Sequence, residues 1–250
     1  MFNSGHNLKD VVYFDLEDRL YMKSHPLFSK EKNALQIQLF YDDFETANPL
    51  GSKKSIHKLG GIYFTLRHFP PKFNSILVNI HLCALIHTQD LKTYGFDSIL
   101  EPIVSDLKVL ETEVIEVPVF SGRIHGSIVQ VTGDNLGIHY LFGFVESFSA
   151  RYCYRFCLTE KVDFQTVFSE DDPRVTLQTK HMHSDHCQTI QLNPTLPHVH
   201  SVKHACLLNS LQYFNTTDKS VDIMHDILGV AQCEEKLVTV YLYTVVFYNS

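Results

Sequence analysis

The chain has 250 residues, 44% of them hydrophobic and 20% charged. Its 28 acidic and 21 basic side chains give a net charge of −7 with the 15 histidines neutral. That composition excludes a disordered or fibrous chain and suits a soluble globular protein with a sizeable core. The acidic balance also excludes a generic nucleic-acid binder, so any DNA contact must come from a local basic patch.

Residues 1–34 read as a polar, irregular N-terminal segment with no signal-peptide pattern. Leu35, Ile37 and Leu39 alternate with Gln36 and Gln38, and Phe40 and Tyr41 complete a buried strand. The strand ends in two adjacent carboxylates, Asp42 and Asp43. Asn48, Pro49 and Gly51 supply turn chemistry, and a second strand follows over residues 59–67, stopped by Pro70 and Pro71. Residues 75–87 form a third apolar run, so the first three strands read as an antiparallel meander. Lys53, Lys54, His57, Lys58, Arg67, His68 and Lys72 form the one basic patch, on the second hairpin.

Ile99, Leu100, Ile103, Val104, Leu107 and Leu110 recur at helical spacing, with a helix start near residues 98–101 that places Pro102 in the first turn. Residues 124–132 make a fourth strand, which also ends in an acid, Asp134. A helix over 136–149 follows, weakened by Gly137 and Gly143. Residues 151–218 change texture and read as an irregular insertion containing Cys153, Cys157, His181, His183, His186 and Cys187. A helix is expected over 219–229, and a β-branched, aromatic tail ends the chain. The longest apolar run, 238–248, is too short for a membrane span. Six cysteines without a leader point to an intracellular, nuclear or cytoplasmic, reducing location and to no membrane partner.

Three constellations could carry chemistry. Asp42 and Asp134, each at a strand end, could hold Mg²⁺ or Mn²⁺ if the two strands are neighbours. Asp222 and His225, spaced i and i+3, share a helix face. Cys153, Cys157, His183 and Cys187, with His186 as an alternative, could supply four Zn²⁺ ligands that staple the insertion. Each has a plainer reading, respectively a polar turn, a capped helix start and free thiols.

The order strand, strand, strand, helix, strand, helix matches a ribonuclease-H-like α/β fold: a mixed sheet flanked by helices, spanning 35–150. Several segments together resemble transposon-encoded proteins abundant in animal genomes, which are similar in turn to transposases of CACTA (En/Spm) elements. The matching stretches are residues 25–30, 35–45, 48–52, 133–136, 143–148, 155–157, 208–211 and 222–228. They cover roughly residues 20–237. The resemblance implies a metal-dependent DDE core that cleaves transposon ends with water and joins the freed 3′ hydroxyl to target DNA. On that basis Asp42 is the first acid, with Asp43 as the alternative, Asp134 is the second, and Asp222 with His225 forms a signature pair. Leu228 and Gly229 are adjacent where the family carries an acid between them, and Glu234 and Glu235 stand out of register. Tyr154 occupies the place of the family's first knuckle cysteine, and 238–250 does not match the expected continuation, so 219–250 reads as a helix and divergent tail. The expectation is therefore a partial, inactive transposase core. The rival expectation is a non-enzymatic remnant that binds DNA or a protein through the basic hairpin.

Overall fold

A computed structural model describes residues 20–46, 57–70, 73, 76–113, 115–116, 123–167, 169 and 171–217. In chain order the elements are α1 (Leu20–Ser24), β1 (Leu35–Glu45), β2 (Lys58–Leu66), β3 (His81–His87), α2 (Thr88–Tyr94), α3 (Asp97–Thr112), β4 (Ile115–Glu116), β5 (Arg123–Ile124), β6 (Gly126–Gly133), α4 (Asn135–Phe142) and α5 (Lys180–Leu192). Four strands form a mixed sheet in the order β3-β2-β1-β6, and β4 with β5 makes a separate two-stranded ribbon. β1 is antiparallel to β2, and β2 to β3, as the meander predicts. β1 and β6 are parallel, which requires a long crossover between them, and α2 and α3 lie in that connection.

The alternation in β1 decides which residues meet the helices. Ile37, Leu39 and Tyr41 project to one face and join Leu91 of α2, Leu100, Val104 and Leu107 of α3, and Ile138, Leu141 and Phe142 of α4 in one apolar cluster. Gln36 and Gln38 alternate to the opposite face and are also buried. Gln38 Nε2 donates to Thr132 Oγ1 of β6 at 3.3 Å. The β1–β6 ladder shifts register between Ile37 and Gln38 and skips Val129. This bulge leaves Val129 to pack with Met22, Leu27, Phe28 and Ala34 in a second cluster. Glu111 is buried on α3, where its carboxylate accepts from Ser127 Oγ at 2.5 Å and from the Gln212 backbone N–H at 2.7 Å. A buried acid needs such partners, and these tie α3, β6 and the chain after α5 together.

Five boundaries differ from the sequence reading. β1 does not end at its two acids but runs through Asp42 and Asp43 to Glu45, paired with β2 throughout. The run 75–87 opens with a 3₁₀ turn, Leu77–Asn79, and only His81–His87 is strand. Pro102 lies inside α3 instead of its first turn, on the exposed side where the missing N–H is least costly. α4 stops at Phe142 because Gly143 turns left-handed (φ 76°) and its N–H closes back on the carbonyls of His139 and Tyr140. The stretch read as irregular contains the 13-residue α5, capped by Thr179, whose side chain accepts from the Met182 N–H at 3.2 Å. Val202, Cys206, Leu208, Leu211 and Phe214 also join the main cluster, so residues beyond 200 help fill the core under the sheet. The expected helix over 219–229 and the tail lie outside the described residues.

Candidate functional site

The last rung of the β1–β6 ladder pairs Tyr41 with Gly133. The next residue on each strand is an acid, Asp42 and Asp134. Both acids therefore lie at the same end of the sheet, close enough for the Asp134 charge to act on the Asp42 carboxyl. Asp42 is exposed, yet its carboxyl is held above the ordinary aspartate range. Partial desolvation is the main cause, and the charges of Asp134 and then Asp43 add to it. The two acids the sequence singled out are thus brought to one end of the sheet.

Asp43 does different work. It alternates with Asp42 and forms an ion pair with Lys58 of β2, Nζ to Oδ1 2.5 Å. Lys58 thus ion-pairs with Asp43, while the Asp42 carboxyl accepts a backbone hydrogen bond from Asp43. Asp134 has extended backbone (φ −63°, ψ 156°) and caps α4, its Oδ1 accepting from the Gly137 N–H. Gly137 leaves room for this: a Cβ there would stand 2.7 Å from Asp134 Oδ1 and 3.1 Å from the Tyr41 ring. Tyr41 lies beneath the site, buried edge-on against Phe96 with ring centroids 5.0 Å apart. Burial, then nearby Asp43, raises its phenol pKa, so it stays neutral.

Sequence reasoning gave Arg155 no role of its own, and the structure gives it a place beside this corner. Arg155 is almost fully buried, and its Nη1 donates to Asn135 Oδ1 at 3.3 Å while its guanidinium lies 4.4 Å from the Phe156 ring centre. Asn135 is the first residue of α4, so the insertion is anchored next to Asp134. The only advance signal was an arginine in an otherwise apolar and aromatic stretch.

Asp42 and Asp134 suit Mg²⁺ in donor type: hard oxygens, few carboxylates and open positions for water. Two like charges held together, one of them with a raised pKa, are also what a divalent cation would relieve. Among the described residues, no group of three or more His, Cys, Asp or Glu side chains could hold a metal ion. A third acid therefore does not gather with this pair there, and Asp222 and His225 lie outside the described residues. The four expected zinc ligands likewise do not converge. His183 and Cys187 meet one turn apart on α5, with Sγ 3.8 Å from both ring nitrogens, and His183 is buried against Phe144. Cys153 and Cys157 lie near each other, apart from that pair. Burial pushes the thiols up, Cys187 to about 11 and Cys206 to about 12, as for core cysteines.

Of the basic patch, Lys58 is committed to Asp43, and the His68 ring bridges the Ala34 carbonyl at 2.6 Å and the Gln36 N–H at 3.5 Å. Lys53, Lys54 and Lys72 lie outside the described residues. Among the described residues no helix is long and apolar enough to cross a membrane.

The double role of Asp134 gives a first prediction. Asp134→Ala should lower stability by about 1 kcal/mol through loss of the α4 cap, whereas Asp134→Asn should be near neutral because asparagine caps equally well. Equal urea midpoints for the Ala variant and the parent would remove the capping role. In comparisons with known proteins, no family model and no curated protein matches the chain.

Proposed function

We propose that this chain is a partial transposase catalytic core of ribonuclease-H-like architecture. Its ancestral chemistry is metal-dependent cleavage and strand transfer of DNA, and it is inactive in this form. The observation that carries the reading is the parallel β1–β6 pair at one edge of a β3-β2-β1-β6 sheet, with Asp42 and Asp134 following its last rung. An acidic pair at adjacent strand ends is the part of such a site that two strands alone can build. Mg²⁺ or Mn²⁺ held there would activate the attacking oxygen and stabilise the leaving one.

The residues of the chain have separable roles. Asp42 and Asp134 supply the charge that holds the cation. Asp134 is oriented by its bond to the Gly137 N–H, and Arg155 fixes the neighbouring Asn135. Lys58 neutralises Asp43 and keeps it from competing. Inactivity is supported by the adjacency of Leu228 and Gly229, where the resemblance leads one to expect an acid between them. DNA is the partner on this reading, and the location is intracellular.

Two measurements test it. Supercoiled plasmid incubated with the chain and Mg²⁺ or Mn²⁺ should remain uncut. Nicking that Asp134→Asn abolishes would refute inactivity while keeping the site. Mn²⁺ binding, followed by water-proton relaxation, should be weak in the parent and at least about tenfold weaker in Asp42→Asn, the loss of one charged ligand at a partly exposed site. Equal Mn²⁺ binding in parent and variant would sink the site assignment.

A further inference from the structure

We propose that His186 and His200 form a site for a borderline transition-metal ion, Zn²⁺ or Cu²⁺, that fastens α5 to the turn at residues 198–202. The two rings lie 4.6 Å apart between centroids, at 33°. Each Nδ1 is buried and has no hydrogen-bond partner. Two orphaned imidazole nitrogens in contact rings are unusual, because a buried polar atom left unpaired is destabilising and calls for an ion or a water.

The backbone holds His200 in place. Among the described residues it is the one non-glycine with a positive φ, 51°, a conformation that is uncommon for such a residue and marks a held position. Paired backbone bonds between Val199 and Val202, both 2.9 Å, close the turn around it. His198 Nδ1 lies 2.8 Å from the His200 carbonyl oxygen. The Tyr152 ring stands edge-on to His200 at 4.7 Å, itself held by an O–H bond to Glu160 at 3.1 Å. His186 comes from the other side on α5, a rigid element. The pair therefore joins two separate segments, as a metal staple does.

The chemistry fits a nitrogen-seeking ion. Neutral imidazole is the common ligand of Zn²⁺ and Cu²⁺. Rotation of the rings about their terminal torsions, which are soft, would let both nitrogens reach one ion. No third His, Cys, Asp or Glu completes a set among the described residues, so water takes the remaining positions. Binding is then weaker than at a four-ligand structural zinc. The site differs from the cysteine-containing set expected from sequence and shares with it only His186, the alternative ligand there.

The test is calorimetric titration of the full chain with ZnCl₂ after chelator treatment, together with electron paramagnetic resonance of the Cu²⁺-loaded protein. We expect one equivalent of Zn²⁺ and a Cu²⁺ spectrum with nitrogen coupling. His186→Gln and His200→Asn should each weaken Zn²⁺ binding at least tenfold, while the exposed His181→Gln should not. Asparagine tolerates the left-handed backbone, so His200→Asn removes the ligand and keeps the turn. An absence of Zn²⁺ binding by the parent overturns the proposal, as does unchanged affinity in both ligand variants. So does binding that Cys153→Ser abolishes and the histidine variants keep. If His186→Gln does not fold, the Cu²⁺ spectrum of the parent decides: nitrogen coupling supports the site, and sulfur ligation overturns it.

Discussion

Gly133→Ala is expected to lower stability by about 2–3 kcal/mol and to pull the carboxylate pair apart. Gly133 faces Tyr41 in the last rung of the parallel ladder, and a Cβ there would overlap the Tyr41 carbonyl oxygen. Ile138 of α4 closes the other side, with its Cδ1 3.1 Å from the same point. A backbone oxygen in a ladder cannot rotate away as a side chain does, so the strands must separate, and overpacking of this kind costs about 1–3 kcal/mol. Lost hydrogen bonds at the strand end add to that. Gly60 provides the contrast. A Cβ there meets only the side chains of Tyr41 and Leu91, at 3.1–3.2 Å, and these can yield by a few tenths of an ångström. Urea titrations should therefore show Gly133→Ala shifting the midpoint at least twice as far as Gly60→Ala, with similar slopes. Mn²⁺ binding should weaken in the Gly133 variant and persist in the Gly60 variant. Equal midpoints for the two variants would mean that β1 and β6 are not closely apposed at this end.

The glycine also explains why the site was partly legible beforehand. Alternation from Leu35 to Leu39, and the apolar run from Ile128 to Val131, mark two strands in any reading. An acid directly after each is visible in the sequence. Their adjacency is not, because nothing in residue spacing says that β6 returns beside β1 and not beside β3. The adjacency stood only as a condition on the metal reading, and the parallel β1–β6 pairing meets that condition. The roles of Asp42 and Asp43 were equally hidden, since the choice between them rests on Lys58 of β2 reaching Asp43 diagonally across the ladder.

The second half of the chain was less legible for a physical reason. α5 carries few apolar residues, so its periodicity is faint, and it is fixed by a threonine cap and by burial of His183 instead. Histidine and cysteine are ambiguous letters: each serves as a ligand or as a small, half-polar core residue. Counting Cys153, Cys157, His183 and Cys187 as one set assumed the first use. Cys187 and Cys206 show the second, with thiols raised by burial, and His183 shows it most clearly.

In chelator, His183 alone is expected to make the fold about 3 kcal/mol less stable at pH 4 than at pH 7. The ring is 2% exposed, set 5.4 Å from the Phe144 ring, and burial, then the neighbouring His186, lowers its pKa from 6.5 to about 4. The unfolded chain takes up a proton near pH 6.5 and the folded chain only near pH 4. Between those values the unfolded state binds more protons, so stability rises with pH there. The contribution is complete above about pH 6.5 and gone below about pH 4, and the gap corresponds to about 3 kcal/mol. His25, His139 and His186 also have pKa values lowered chiefly by burial and steepen the same slope. Asp42, raised, opposes it, but its exposure limits that effect. Against a typical stability of about 5–15 kcal/mol, a loss of this size is a substantial fraction of the total. Urea midpoints at pH 7, 6, 5 and 4.5 should shift in favour of His183→Leu relative to the parent as the pH falls, because the variant has no proton to gain at this position. Parallel pH profiles for the two proteins, or a His183 ring resonance titrating near 6.5, would show that the ring is not sealed in the core.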